Sequence, residues 1–225
     1  MYNFFEYLKE YPLPVIGTLL IPLPVFFILY NRAYKEKCVL IFLVYLLVKL
    51  NLDIEATYLA FKHQNNLFIH NTIILIELVF VLLFYSYNLL LVKYNKWFLL
   101  IGVLFSIFFF WDVYQSNEEI INTRNIRWIE YGSTVSGVLI IGVILLFLYE
   151  IIKHPIIIDL YIDSGFYISV YLLLFHCSKI FFSPLLYYVC RWGTSPEWFE
   201  YIPDVFEIYG MLFLSIYFYN YDRKN

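Results

Sequence analysis

The chain divides into seven apolar runs, each close to the length that a helix needs to cross a bilayer. An α-helix rises ~1.5 Å per residue, so ~20 residues span a hydrocarbon core of ~30 Å. The runs are 13–30, 38–60, 67–92, 97–113, 131–152, 160–182 and 202–220. They predict an all-α integral membrane protein: a single seven-transmembrane-helix bundle with little mass outside the lipid bilayer.

The composition supports this class and argues against others. Hydrophobic residues make up 62% of the chain and charged residues 15%, whereas soluble domains have about 45–50% and about 25%. The net charge of -3 gives no sign of nucleic-acid binding. Cys38, Cys177 and Cys190 have no metal-ligand spacing. We therefore expect neither a metal nor a cofactor.

The distribution of basic residues predicts an orientation. Lysine and arginine in short connectors mark the cytoplasmic side of a membrane protein. One side of the predicted bundle holds eight such residues, in the segments after the first, third, fifth and seventh runs, and the other side holds five. The bias predicts an N-terminus outside and a cytoplasmic C-terminus.

Two segments depart from a plain helix–connector pattern. The first run contains Pro22 and Pro24, and proline inside a helix removes a hydrogen bond and clashes with the preceding turn. We expect a break there, either as a packing kink or as part of a site. The connector 183–204 is rich in aromatic residues and is expected to lie in the outer interface or to cover a cavity.

The second run carries charges at the depth where they are most costly. Lys49 is its midpoint, and Asp53 lies one turn further out on the same face. Asn51 and Glu55 form a second pair on another face. Because ionisable groups inside a membrane need partners, this half of the helix must face protein or water.

Glu77 lies near the middle of the otherwise apolar third run. At that depth Lys49 is its expected counter-ion, since each charge would compensate the other. Three interpretations remain open: a static clamp between helices, a proton- or ligand-coupled centre, and a neutral Glu77 that faces lipid.

Most other polar residues within the runs lie in the predicted outer halves, whereas the inner halves look like plain hydrocarbon apart from Asp163 and Ser164. This asymmetry predicts a polar cavity that opens to the outside, with Lys49 and Glu77 at its floor. The candidate ligand-binding or coupling residues are Lys49, Asp53, Glu55, His70, Glu77, Asp112, His176 and Glu207.

Enzyme motifs are incomplete, so catalysis is not the expected function. Ser136 and His176 have similar predicted depths and resemble a rhomboid-type Ser–His pair, in which histidine activates the serine nucleophile. Thr134 replaces the first glycine of the G-x-S-G pattern. An intramembrane hydrolase that uses Ser136 and His176 remains an alternative.

Two short segments, 68–77 and 158–167, resemble an uncharacterised family of bacterial seven-helix membrane proteins that look like sensory modules. The match departs at Asp159-Leu160, where similar sequences have an aromatic pair. The resemblance implies seven helices in the cytoplasmic membrane of a bacterium and a sensory role. It transfers no catalytic residue.

Two functions fit these observations best. The first is a sensor or receptor-like module, whose outward-facing cavity binds a small ligand or protons and which signals through a separate partner protein. The second is a small-molecule or proton-coupled transporter, in which the same polar groups line an alternating-access path. The apolar inner halves favour the sensor. The sequence does not indicate an oligomeric state.

Overall fold

The computed structural model describes residues 11–88, 90–116, 130–154, 163–191 and 201–221, with side chains for all of these except 130 and 182–191. Within these residues the regular structure is helical throughout. The seven helices are α1 (Pro12–Tyr30), α2 (Lys37–Phe61), α3 (Leu67–Ser86), α4 (Asn95–Ser116), α5 (Glu130–Lys153), α6 (Ser164–Arg191) and α7 (Ile202–Tyr219). Short 3₁₀ helices, Ala33–Lys35 and Val92–Tyr94, precede α2 and α4.

Six of these helices are long and apolar enough to cross a membrane, which confirms a helical membrane protein. The exception is α2. It has 25 residues, more than the ~20 that a span needs. It differs from the others because Lys49, Asp53 and Glu55 lie close together in its second half.

Helix α1 is interrupted where the sequence predicted. Its two segments, Pro12–Leu20 and Pro22–Tyr30, meet at Ile21. Ile21 keeps helical dihedral angles, but Pro22 and Pro24 supply no backbone N–H for the helical hydrogen bonds. The interruption is therefore local, and Ile21 itself is fully buried in the core.

The ends of two helices differ from the ends of the predicted runs. The third run was expected to reach residue 92, but α3 ends at Ser86, and the apolar residues after it, such as the fully buried Leu91, pack as a connector. The sixth run was expected to end at 182, but α6 continues to Arg191. Part of the expected 183–204 connector is therefore helical, and 192–200 lies outside the described residues.

Contacts such as Asp112 with Gly132 and Ser164 with Tyr217 join the end of one helix to the start of its neighbour. Successive helices therefore run in alternating directions, and the bundle has two ends. We call them the α2–α3 end and the α1–α2 end, after the connectors that they hold. The most extensive helix contacts are those of α7 with α1 and with α6 and those of α2 with α3, followed by α5 with α6 and α3 with α5. This arrangement brings α2, α3, α6 and α7 around a common interior.

Aromatic side chains fill much of that interior. Tyr85, Phe147, Tyr171, Phe175 and Phe218 are fully buried. The Tyr171 ring lies directly on Gly210, where an added Cβ would come within 2.3 Å of the ring. The glycine therefore lets α7 approach α6 closely at the level of the polar residues described next.

Candidate functional site

Lys49 lies at the middle of α2 and binds two carboxylates. Its Nζ is 2.7 Å from Asp53 Oδ2, one turn further along α2, and 2.8 Å from Glu207 Oε1 on α7. All three side chains are largely buried. The expected pairing of Lys49 with Glu77 is therefore wrong, since α7 supplies a closer carboxylate.

Glu77 on α3 has its own set of partners. The Tyr45 hydroxyl of α2 donates a hydrogen bond of 2.8 Å to Glu77 Oε1. On α6, His176 Nε2 lies 3.7 Å from the same oxygen, and Lys179 Nζ lies 3.5 Å from Glu77 Oε2. The Lys179 ammonium also lies 4.1 Å from the centre of the Phe175 ring, one turn earlier in α6, which is a cation–π contact.

These contacts form two neighbouring sets, one around Lys49 and one around Glu77, and the two residues are within electrostatic reach of each other. We call both sets together the polar cluster: Tyr45, Lys49, Asp53, Glu77, His176, Lys179 and Glu207. The cluster joins α2, α3, α6 and α7. With His176 neutral it contains two ammonium groups and three carboxylates. An unbalanced charge in a low-dielectric interior is costly, so the cluster is suited to binding one further positive charge, such as a proton.

Three buried polar atoms near the cluster lack a hydrogen-bond partner among the described residues. They are Tyr171 Oη, His176 Nε2 and Glu207 Oε1. The last of these contacts Lys49 as an ion pair but without hydrogen-bond geometry. Because buried polar atoms are almost always paired, this concentration marks a place where water, a proton or a small polar group would bind.

A small cavity of about 20 Å³ opens beside Glu77, between α3, α5 and α6. One water molecule fits such a volume, but a drug-sized ligand does not. Six of the nine residues that line the cavity have polar side chains. The walls consist of Ile74, Glu77, Ser133, Thr134, Ser136, Gly137, His176, Lys179 and Ile180.

Gly137 brings α5 close to α6 at this cavity. A Cβ added there would lie 2.8 Å from two side-chain carbons of Ile180. The close approach places the Ser136 hydroxyl in the same cavity wall as His176. In the sequence, the only sign that Ser136 and His176 lie close together is that both have similar predicted depths in the membrane.

The remaining predicted site residues divide into two groups. His70 is half-buried and within electrostatic reach of Lys49, Asp53 and Lys179, so it borders the cluster. Glu55 is exposed on the outside of α2, together with Asn51. Among the described residues nothing covers that face of α2, and Glu55 does not join the site.

Asp112 has a structural role. It is buried near the end of α4, and its Oδ2 accepts a hydrogen bond of 2.6 Å from the backbone N–H of Gly132. Gly132 lies in the first turn of α5, where backbone N–H groups have no partners within the helix and favour an anion. Asp112 therefore caps a neighbouring helix.

A second ionic group at the α1–α2 end was missed. Glu150 of α5 is 1% exposed, accepts a hydrogen bond of 2.8 Å from Lys93 and one of 3.0 Å from Tyr94, and lies 3.8 Å from His154. The expectation of plain hydrocarbon at this end was wrong. Glu150 and Lys93 lie at the ends of predicted runs, where charged residues are usual and do not indicate a buried ion pair.

Among the described residues, no group of three or more histidine, cysteine or acidic side chains is placed to hold a metal ion. No protein family, curated protein or solved structure matches this chain. The resemblance to a seven-helix sensory family therefore stays a prediction, and function must be argued from the polar cluster.

Proposed function

We propose that this chain is a membrane-embedded sensor or receptor-like module that responds at the polar cluster and signals through a separate partner protein. The observation that carries the proposal is the position of the cluster. Its ion pairs, at mid-depth, connect α2 to α7 and α3 to α6. A change of charge there alters the forces between four helices at once.

Glu77 is the proposed coupling group between the polar cluster and α6. It faces charged or titratable side chains from two neighbouring helices, Tyr45 and Lys49 on α2 and His176 and Lys179 on α6. A proton bound by the carboxylates that share Lys49, where the excess negative charge of the cluster lies, would change the electric field at Glu77 and its attraction to Lys179. Since the cavity has room for about one water, protons fit this site better than a large ligand.

The proposal includes seven spans, with α2 as the seventh, and places the α2–α3 end outside. Two observations support it. The length of α2 suffices for a span, and the charged side chains of Lys49 and Asp53 are largely buried in the bundle. Basic residues are more numerous at the α1–α2 end, as expected for the cytoplasmic side of a bacterial inner membrane.

The test uses the full chain in proteoliposomes with a pH-sensitive dye inside. Spin labels at Phe68→Cys and Phe181→Cys, both exposed on α3 and α6, are introduced after the native cysteines are changed to serine. A sensor shows a changed α3–α6 distance when the outside pH falls from 8 to 5, without proton flux. Glu77→Gln abolishes this change.

Asp112→Asn is the matched control, since it also neutralises a buried carboxylate but lies in a helix cap. It should leave the distance change intact. Proton flux that disappears in Glu77→Gln would instead support the transporter and contradict the sensor. A pH response that Glu77→Gln leaves unchanged would contradict the assignment of Glu77.

A hydrolase is a second candidate because Ser136 and His176 line one cavity, with Glu77 3.7 Å from the histidine. A serine, a histidine and an acid are the parts of a nucleophilic triad. Labelling by a fluorophosphonate probe that is lost in Ser136→Ala, and retained in Ser133→Ala, would support it. Absence of labelling would contradict it.

A further inference from the structure

The outside of α2 carries an exposed stripe that repeats in alternating steps of four and three residues. Its members are Leu40, Val44, Leu47, Asn51, Ile54 and Tyr58. We call these six residues the α2 stripe. This spacing is that of the a and d positions of a coiled coil, and it places Asn51 at an a position.

An exposed apolar stripe alone would suit contact with lipid, but this stripe is interrupted by polar groups. Asn51 lies ~3 Å and Glu55 ~9 Å beyond Lys49, the midpoint of α2, at the rise of an α-helix. Elsewhere in the described residues, exposed charged or carboxamide side chains lie in connectors or in the first or last turn of a helix.

Lipid supplies no hydrogen-bond partner at this depth. The Asn51 Nδ2 donates a hydrogen bond of 2.7 Å to Leu47 O in its own helix. The amide oxygen and the second N–H make no hydrogen bond within the described part of the chain. These groups need protein, because polar side chains in spans are commonly satisfied across helix–helix contacts.

We infer that the α2 stripe is the interface of a parallel homodimer, in which Asn51 pairs with Asn51 of a second copy of this chain. A carboxamide both donates and accepts hydrogen bonds, so it is complementary to itself across a two-fold axis. A single asparagine at an a position also fixes the register of a coiled-coil pair. Two copies with the same orientation in a membrane necessarily present α2 in parallel.

Charge placement is compatible with this pairing. Glu55 lies at an e position, which in a parallel pair faces a g position of the partner helix. The g residue at the corresponding level is Leu50, so the two Glu55 carboxylates lie on opposite sides of the seam. The arrangement therefore avoids direct repulsion between like charges.

The inference rests on the exposed face of α2 and on the proposed membrane span of α2, but it does not require the proposed sensor function. The two faces are nevertheless parts of one helix, since Tyr45, Lys49 and Asp53 lie on the inner side of α2. A displacement of α2 at the polar cluster would therefore also move the dimer seam.

Cysteine cross-linking in native membranes tests the interface. With the native cysteines changed to serine, Leu47→Cys and Ile54→Cys should give a disulfide-linked dimer on mild oxidation. Val103→Cys and Leu104→Cys, exposed in α4, are the matched controls and should stay monomeric. Equal cross-linking at both helices, or none at α2, would overturn the proposed interface.

The role of Asn51 is tested by the dissociation constant of the dimer, measured by fluorescence transfer between labelled copies in lipid. Asn51→Leu should weaken the dimer about five- to thirty-fold, which corresponds to ~1–2 kcal/mol for an interhelical polar contact. Ser106→Leu on α4 is the control and should have no effect. An unchanged constant in Asn51→Leu would overturn the Asn51 pairing.

Discussion

The ammonium group of Lys49 on α2 lies 2.8 Å from the carboxylate of Glu207 on α7. The same Lys49 Nζ lies 2.7 Å from Asp53 Oδ2. The lysine at the middle of α2 is thus held by two carboxylates, one from its own helix and one from a helix more than 150 residues away in the chain. The Lys49–Glu207 ion pair therefore connects α2 to α7 inside the bundle.

Replacement of Lys49 by methionine should destabilise the protein strongly, because it leaves Asp53 and Glu207 buried without their cation. Removal of one partner from a buried ion pair costs about 3–5 kcal/mol. Denaturant unfolding in detergent measures the loss. Lys49→Arg should retain most of the stability, and adding Asp53→Asn and Glu207→Gln to Lys49→Met should restore part of it. No restoration would mean that the charges are not coupled.

Gly210 provides a prediction about packing. An added Cβ at Gly210 would lie within 2.3 Å of the Tyr171 ring, whereas at Gly142 it would meet nothing within 4 Å. Gly210→Ala should therefore destabilise α6–α7 packing by about 1–3 kcal/mol. Gly142→Ala should be neutral or stabilising by up to ~1 kcal/mol, since alanine favours helices. Thermal unfolding in detergent compares them, and equal effects would contradict this packing.

The sequence predicted the helices and the residues that carry charge, but not which charged residues meet. Hydropathy located the helices because each needs about 20 apolar residues. The i, i+4 spacing predicted that Lys49 and Asp53 lie on the same face of α2. The partner of Lys49 depended on how α7 packs, which a Gly210–Tyr171 contact controls and hydropathy does not encode. Asp112 was assigned to the site because depth alone cannot distinguish a helix cap from a ligand group.

The cap formed by Asp112 predicts a structural phenotype. Asp112→Ala removes the acceptor of the Gly132 N–H at the start of α5 and should cost about 0.5–2 kcal/mol, as for other lost caps. Asp112→Asn keeps an oxygen acceptor and should lose less. Thermal unfolding in detergent measures both variants. An Asp112→Asn variant as unstable as Asp112→Ala would show that the charge, and not the hydrogen bond, matters.

Asp163 predicts a pH dependence at the start of α6. Its Oδ1 accepts a hydrogen bond of 2.9 Å from the N–H of Phe166, as an N-cap residue does. Burial raises the pKa of the Asp163 carboxyl above its usual value, despite backbone hydrogen bonds that lower it. A raised carboxyl pKa means that the folded state binds its proton more tightly than the unfolded state does.

The folded state should consequently gain stability at Asp163 as the pH falls through the raised pKa. Asp163→Asn has no such titration but retains a cap acceptor. The difference in unfolding free energy between the native chain and Asp163→Asn should therefore shift in favour of the native chain between pH 7 and pH 4. A shift in the opposite direction would contradict a buried carboxyl at this position.

The most direct test of the central claim, a polar site open to the outside, is thiol labelling in intact cells. In a background without native cysteines, Thr134→Cys and Lys179→Cys lie at the cavity and Lys93→Cys lies at the opposite end. A membrane-impermeant maleimide should label the first two in intact cells and the third only after permeabilisation. Labelling of Lys93→Cys in intact cells, with protection of Thr134→Cys and Lys179→Cys, would contradict the proposed orientation and site.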